Sequence, residues 1–186
     1  MGLTIRDRNI DKVRALHKAF EPYGEVTVEF GDIFARPAWA LVSPANSFGF
    51  MDGGIDAAYL ARWPHVEHLV RDEIALANGV LPVGDWSLVM TGDKEFPVLI
   101  ILPTMLGPMG IESSTNVFMA FWTLCEVNRL HPKKEIVCPG LGMGIGAMPP
   151  ERAARQMATA YALFTKQGDS PDNSREAHKL AMSLLE

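Results

Sequence analysis

The stretch Ser43-Pro44-Ala45-Asn46-Ser47-Phe48-Gly49-Phe50-Met51-Asp52-Gly53-Gly54-Ile55-Asp56 decides the fold. It follows Trp39-Ala40-Leu41-Val42, an apolar run without alternation, which predicts a parallel strand buried on both faces. It leads into a helix predicted from Ile55 to about Trp63. Strand, glycine-rich turn and helix together open a parallel α/β unit. Such turns lie at the carboxyl edge of the sheet, where open α/β proteins bind ligands. Glycine permits positive φ and a close approach of ligand to backbone. The helix start adds amides that have no partner within the helix, a natural seat for an anion.

The same plan recurs later in the chain. Glu135-Ile136-Val137-Cys138 reads as a last buried strand, and Pro139-Gly140-Leu141-Gly142-Met143-Gly144-Ile145-Gly146-Ala147-Met148-Pro149-Pro150 follows it. Pro149 or Pro150 then starts a helix, where proline's missing amide costs nothing. One such loop is an ordinary tight turn. Two, each opening a helix, predict a groove whose facing walls offer amides to a diphosphate.

The remaining elements complete the alternation. Residues 3–6 alternate apolar and polar as a short strand. Asn9 or Asp11 caps a helix carrying Val13, Leu16, Ala19 and Phe20, ended by Pro22 and Gly24. A β-branched strand over 26–30 stops at Gly31-Asp32, and a helix covers 66–77. Strands follow at 86–90 and 98–102, and Ser113 or Ser114 caps a long helix running to about Asn128. Residues 167–174 read as a linker and 175–184 as a terminal helix. The prediction is a single α/β domain over residues 1–186, a three-layer α/β/α sandwich with a mixed, largely parallel sheet.

Composition narrows the function. The chain has 186 residues, 48% hydrophobic and 21% charged, which suits one globular domain. The formal net charge of -5 argues against a duplex nucleic-acid partner, which needs a basic face. It leaves room for an anionic small ligand, since backbone amides hold phosphate without Lys or Arg. Cys125 and Cys138 are expected as reduced core residues. The opening MGLTIRDRN lacks the apolar run of a secretion signal, and no window approaches a membrane span, so a cytoplasmic protein is expected. His65 and His68 share a helix face without a third partner, so neither metal nor cofactor is expected. Residues 142–147 also satisfy Gly-x-Gly-x-x-Gly/Ala. A nicotinamide reading fails on context, because no strand follows to bring an acid to the ribose.

Motifs in three segments, in order, resemble the macro domains. Gly31-Asp32-Ile33 matches that family's Gly-Asp-Ile, Ser43-Pro44-Ala45-Asn46 its Asn-Ala-Ala-Asn-like turn, and Gly53-Gly54-Ile55-Asp56 its Gly-Gly-Val-Asp. Met143-Gly144-Ile145 with Pro149 matches Thr-Gly-Ile and its following proline. The resemblance covers roughly residues 26–165 and implies binding of ADP-ribose or a derivative. By that resemblance Asp32 accepts the adenine amino group and Ile33 supplies a backbone contact. Gly53, Gly54 and Ile55 donate amides to the diphosphate, with Gly142, Met143, Gly144, Ile145 and Gly146 on the opposite wall. Ala45 joins the ligand contacts, and Asn46 fixes the distal ribose. In hydrolytic members the residues matching Asn46 and Asp56 position the ribose and the attacking water. Cleaving an anomeric bond passes through an oxocarbenium-like state that a carboxylate and oriented water stabilise. The implied activity is hydrolysis of an ADP-ribosyl bond or of a terminal ester or phosphate. The alternative is a reader of ADP-ribose, free or on protein or small molecule, without turnover.

The chain departs from the family at several points. Ser43 replaces the first Asn of the turn, and Met51 and Asp52 stand where glycine is usual. Gly146 replaces an aromatic that shapes the distal pocket, leaving Phe48 or Phe50 to replace it from the other wall. The family's closing strand has no counterpart after residue 165, while a strand and helix precede residue 21. The N-terminal unit is therefore expected to fill the vacant place as a circular permutation. That would bring Asp7, Arg8 and Asn9 to the adenine end, with Arg8 stacked on the purine.

Overall fold

In the computed structural model, which describes residues 2–186, the chain alternates strand and helix. It runs β1 (Leu3–Asp7), α1 (Ile10–Phe20), β2 (Val26–Phe30), β3 (Ala40–Ser43), α2 (Gly54–Arg62) and α3 (Val66–Leu76). It continues with β4 (Ser87–Met90), β5 (Val98–Ile101), α4 (Asn116–Leu130), β6 (Ile136–Cys138), α5 (Pro150–Phe164) and α6 (Ser174–Ser183). The six strands form one sheet in the order β2-β1-β6-β3-β5-β4. All neighbouring pairs are parallel except β4 with β5 at the edge.

Side-chain alternation along the strands builds two cores. Ala40 and Val42 point into one, with Leu16 and Phe20 of α1, Phe121 and Leu124 of α4, and Met157 and Tyr161 of α5. Leu41 points into the other, with Tyr59 and Trp63 of α2 and Val66, Val70 and Ile74 of α3. The sheet is thus covered on both faces, which makes the three-layer α/β/α sandwich that the alternation of elements predicts.

Element ends follow local chemistry. Asn9 caps α1, its side chain accepting from the amides of Asp11 and Lys12. Pro150 opens α5. The long helix α4 starts at Asn116, behind Thr115, rather than behind Ser113 or Ser114. The Ser114 hydroxyl donates to the Ile111 carbonyl at 2.7 Å and so closes the preceding turn instead.

The alternation in β1 does not mark a solvent face. Thr4 and Arg6 are both buried, because β1 lies inside the sheet between β2 and β6. Buried polar groups need partners. Thr4 donates to Glu135 at 2.8 Å, and Arg6 forks onto one oxygen of Glu29 at 2.9 and 2.8 Å. β1 lies beside the strand that leads into Asp32, not at a remote sheet edge. Ile5, fully buried in β1, measures how much the fold relies on this strand. Ile5→Ala is expected to lower the unfolding free energy by about 3 kcal/mol. Ile10→Ala, at a position 47% exposed, should cost under about 1 kcal/mol. Denaturant unfolding compares the two, and equal small losses would contradict the interior placement.

Candidate functional site

Because β2, β1, β6 and β3 are parallel neighbours, their carboxyl ends line one edge of the sheet. A cavity of about 380 Å³ opens over that edge, within the usual range for small-molecule sites. Each strand sends residues into it: Asp32 and Ile33 after β2, Asp7 and Arg8 from β1, Gly140 to Gly146 after β6, and Gly54 to Asp56 after β3.

The wall after β3 is a helix start. Gly53 precedes α2 in an extended conformation without a side-chain cap, so the first-turn amides keep no intrahelical partner. Gly54 has φ 60°, a conformation that glycine adopts without penalty. The wall after β6 folds back on itself. The amides of Ala147 and Met148 donate to the carbonyls of Gly144 and Gly142, and that of Ile111 to Gly146. Among the described residues, the amides of Gly144 and Ile145 meet no acceptor. The walls face each other closely: a Cβ placed on Gly53 would lie 3.4 Å from Ile145 Cδ1. Ile145 is half exposed and roofs the groove between them.

Asp56 stands at the inner end of this groove. It lies in the first turn of α2, is 7% exposed, and accepts a hydrogen bond from Ser43 Oγ at 2.6 Å. Burial pushes its carboxyl up to about 7, against the lowering effect of the Ser43 hydroxyl. Tyr59, one turn further on, gives its hydroxyl proton to the Val42 carbonyl. A carboxyl inside a cleft, half ionised near neutral pH, has the character of a general base.

The structure places the other expected residues as follows. Arg8, Asp32, Ile33, Gly54, Ile55, Asp56, Gly142, Gly144, Ile145 and Gly146 all line the cavity. Asn46 does not. Its side chain donates to the Phe50 carbonyl at 2.8 Å and accepts from the amides of Phe48 and Phe50, so it ties its own loop together. Ala45 is buried beneath the loop, its carbonyl taken by the Thr104 amide. Met143 is buried against Gly140, and Gly53 sits at the rim. Phe48 and Phe50 lie outside the cavity, and Phe50 packs under the Arg71 guanidinium at 5.0 Å. Met51 fills the core under α2 and α3, and Asp52 faces solvent. Asp32 closes a turn through the Phe34 amide and pairs its other oxygen with Arg8, which is therefore held at the rim by an acid. Sequence reasoning missed Arg6, Lys12, Pro44, Thr104 and Gly140 as lining residues. Lys12 faces the cleft one turn into α1, a placement that follows only once β1 is known to adjoin β6.

With this geometry in hand, comparison with known proteins gives a consistent answer. Residues 42–157 match the macro domain family, and the chain belongs to it. An uncharacterized protein of Aquifex aeolicus is 33% identical over 140 residues, spanning 75% of this chain and 82% of that one. An uncharacterized protein of Aeropyrum pernix is 27% identical over 139 residues, 75% of this chain and 71% of the other. Among solved structures, the macrodomain of Mycobacterium tuberculosis DarG superposes with TM-score 0.60 at 21% identity, covering 72% of this chain and 87% of that one. The Oceanobacillus iheyensis macrodomain with ADP gives 0.62 at 17% identity, covering 83% and 86%. Thermosipho africanus DarTG in complex with ADP-ribose gives 0.60 at 14%, covering 98% of this chain and 57% of that one.

The raised Asp56 carboxyl has a stability signature. Its native form holds a proton from about pH 4 to about pH 7 that the unfolded chain has already lost. Its contribution therefore makes stability fall as pH rises through that window and then level off. Asp56→Asn removes the burden while keeping an acceptor for Ser43. The variant should match the wild type near pH 4 and exceed it by roughly 3–5 kcal/mol above pH 7. Denaturant unfolding at both pH values tests this, and a constant difference would contradict it.

Proposed function

We propose that the cleft binds ADP-ribose, free or attached to a protein or small molecule, and hydrolyses an ADP-ribosyl bond. The carrying observation is the buried Asp56 carboxyl at the end of a groove lined by free amides. The diphosphate lies across Gly54 and Ile55 on one side and Gly142 to Gly146 on the other. Backbone amides and the α2 terminus neutralise it without a cationic side chain. The base lies toward Asp32 and Ile33, with Arg8 against it. The distal ribose then reaches Asp56. There the carboxylate takes a proton from water as that water adds to the anomeric carbon and the glycosyl bond breaks. Asn46 supports this reading from behind, as a positioning residue that holds the loop ahead of α2. No helix of the described residues is long and apolar enough to cross a membrane, and both cysteines are free and buried. A reducing cytoplasm suits such a chain.

One observation favours a second reading. Asn46 already spends its amide on the loop backbone, and Gly146 gives the distal pocket no ring. A reader that binds without turnover would have the same cleft. Calorimetric titration of ADP-ribose, combined with turnover of an ADP-ribosylated protein, separates the two. Wild type is expected to bind and to turn over, with the rate rising as pH passes through about 7 and Asp56 loses its proton. Asp56→Ala should keep binding and lose at least about a hundredfold in rate. Asn46→Ala should weaken both, because the loop loosens. Binding without turnover in the wild type would leave only the reader.

A further inference from the structure

The part of the cleft between β2 and β6 is furnished by the N-terminal unit, outside the stretch that matches the family. Its centre is Asp7, the last residue of β1. One carboxylate oxygen of Asp7 accepts from the Asn9 amide at 2.8 Å and so fixes the turn into α1. The other, Oδ2, faces the cleft. It lies 3.8 Å from Lys12 Nζ and only 3.1 Å from where a Cβ on Gly140 would stand. The same Cβ would lie 2.9 Å from Met143 Sδ, so Met143 fills the space beside Gly140 and closes that side of the oxygen. The Asp7 side chain is only 14% exposed, so the oxygen looks into the groove rather than out to bulk water.

Position along the sheet edge says which part of a ligand meets this oxygen. Strands step across a sheet by about 4.8 Å, close to the width of a sugar ring. The edge runs from Asp32 after β2, to Asp7 after β1, to Gly140 after β6. The diphosphate amides begin on the β6 side. The apolar Ile33 and Phe34, beside the acceptor Asp32, suit a flat base on the β2 side. The group that joins a base to a diphosphate is a ribose, and the strand between the two sites ends in Asp7.

We infer that Asp7 is a specificity residue whose Oδ2 accepts hydrogen bonds from the 2′- and 3′-hydroxyls of the base-side ribose. This inference rests on the proposed ADP-ribose site and names a feature of the ligand that the site reads. A carboxylate at that point rewards a free vicinal diol, since hydrogen bonds to a charged acceptor are the strong ones. It disfavours a ribose 2′-phosphate by like-charge repulsion, and Met143 beside Gly140 occupies the room that an added group would take. Lys12 Nζ, 3.8 Å from Oδ2, pairs with this carboxylate.

Calorimetry on the full chain tests this with ADP-ribose, its 2′-phosphorylated form, and the analogue lacking the base-side 2′-hydroxyl. Wild type is expected to bind the deoxy analogue roughly ten- to a hundredfold more weakly than ADP-ribose, and the 2′-phosphate more weakly still. Asp7→Asn keeps the bond to the Asn9 amide, so the fold is retained. That variant should narrow the gap between ADP-ribose and the 2′-phosphate at least tenfold. Equal wild-type affinity for all three ligands would overturn the role of Asp7 while leaving the cleft assignment intact. No binding of ADP-ribose at all would overturn both.

Discussion

Gly142 and Gly146 are pressed so tightly against the protein that side chains at either position would displace the loop. Gly142 has φ 70°, and a Cβ on it would stand 2.5 Å from Val117 Cγ2. A Cβ on Gly146 would stand 2.8 Å from both the Gly142 carbonyl oxygen and Ile111 Cγ1. The loop after β6 therefore packs its carbonyls and α-carbons against α4 and its own turn. What it has left to present to the cleft is a row of amides. Ala147 closes the turn with φ 52°, a left-handed conformation that an alanine holds only where its surroundings impose it. The groove is built by what these residues lack, and an array of unpaired amides of this kind suits an anion.

The opposite wall holds a buried carboxyl at an energetic cost. Asp56 is placed where burial raises its proton affinity by several kcal/mol in free-energy terms, with Ser43 as its single close donor. A fold selected for stability alone would place an apolar residue there, since Tyr59 and Met51 close by are fully buried. A buried carboxyl in a cleft with raised proton affinity has the character of a functional-site candidate. Ser43, which at the level of sequence reads only as a departure from the family's turn, has a physical role: its hydroxyl holds the carboxyl in place.

Much of this was legible in the chain itself. The unbroken apolar run before Ser43 required a strand covered on both sides, and the two glycine loops pointed to one shared edge, where the structure places them. The interior position of β1 was harder to read. Its alternation of Leu3, Thr4, Ile5 and Arg6 is the pattern of a half-exposed strand, and only the distant partners Glu29 and Glu135 let Thr4 and Arg6 be buried. Pairings between residues so far apart leave no local signal. The same holds for Asn46. Its spacing from Asp56 is visible in the sequence, but the direction of its amide depends on the path of the loop through Phe50. Phe48 and Phe50 read as cleft aromatics, yet the turn at Gly49 carries them outward, with Phe50 meeting Arg71.

Backbone nuclear magnetic resonance during titration with ADP-ribose tests directly whether the amides of the two loops grip one diphosphate. The amide signals of Gly54, Ile55, Gly144 and Ile145 should move together and saturate at one ligand per chain, with downfield proton shifts as they take up phosphate oxygens. Signals that stay in place at these four positions while others shift would show the ligand seated elsewhere. The diphosphate groove, and Asp56 as its catalytic end, would then be wrong.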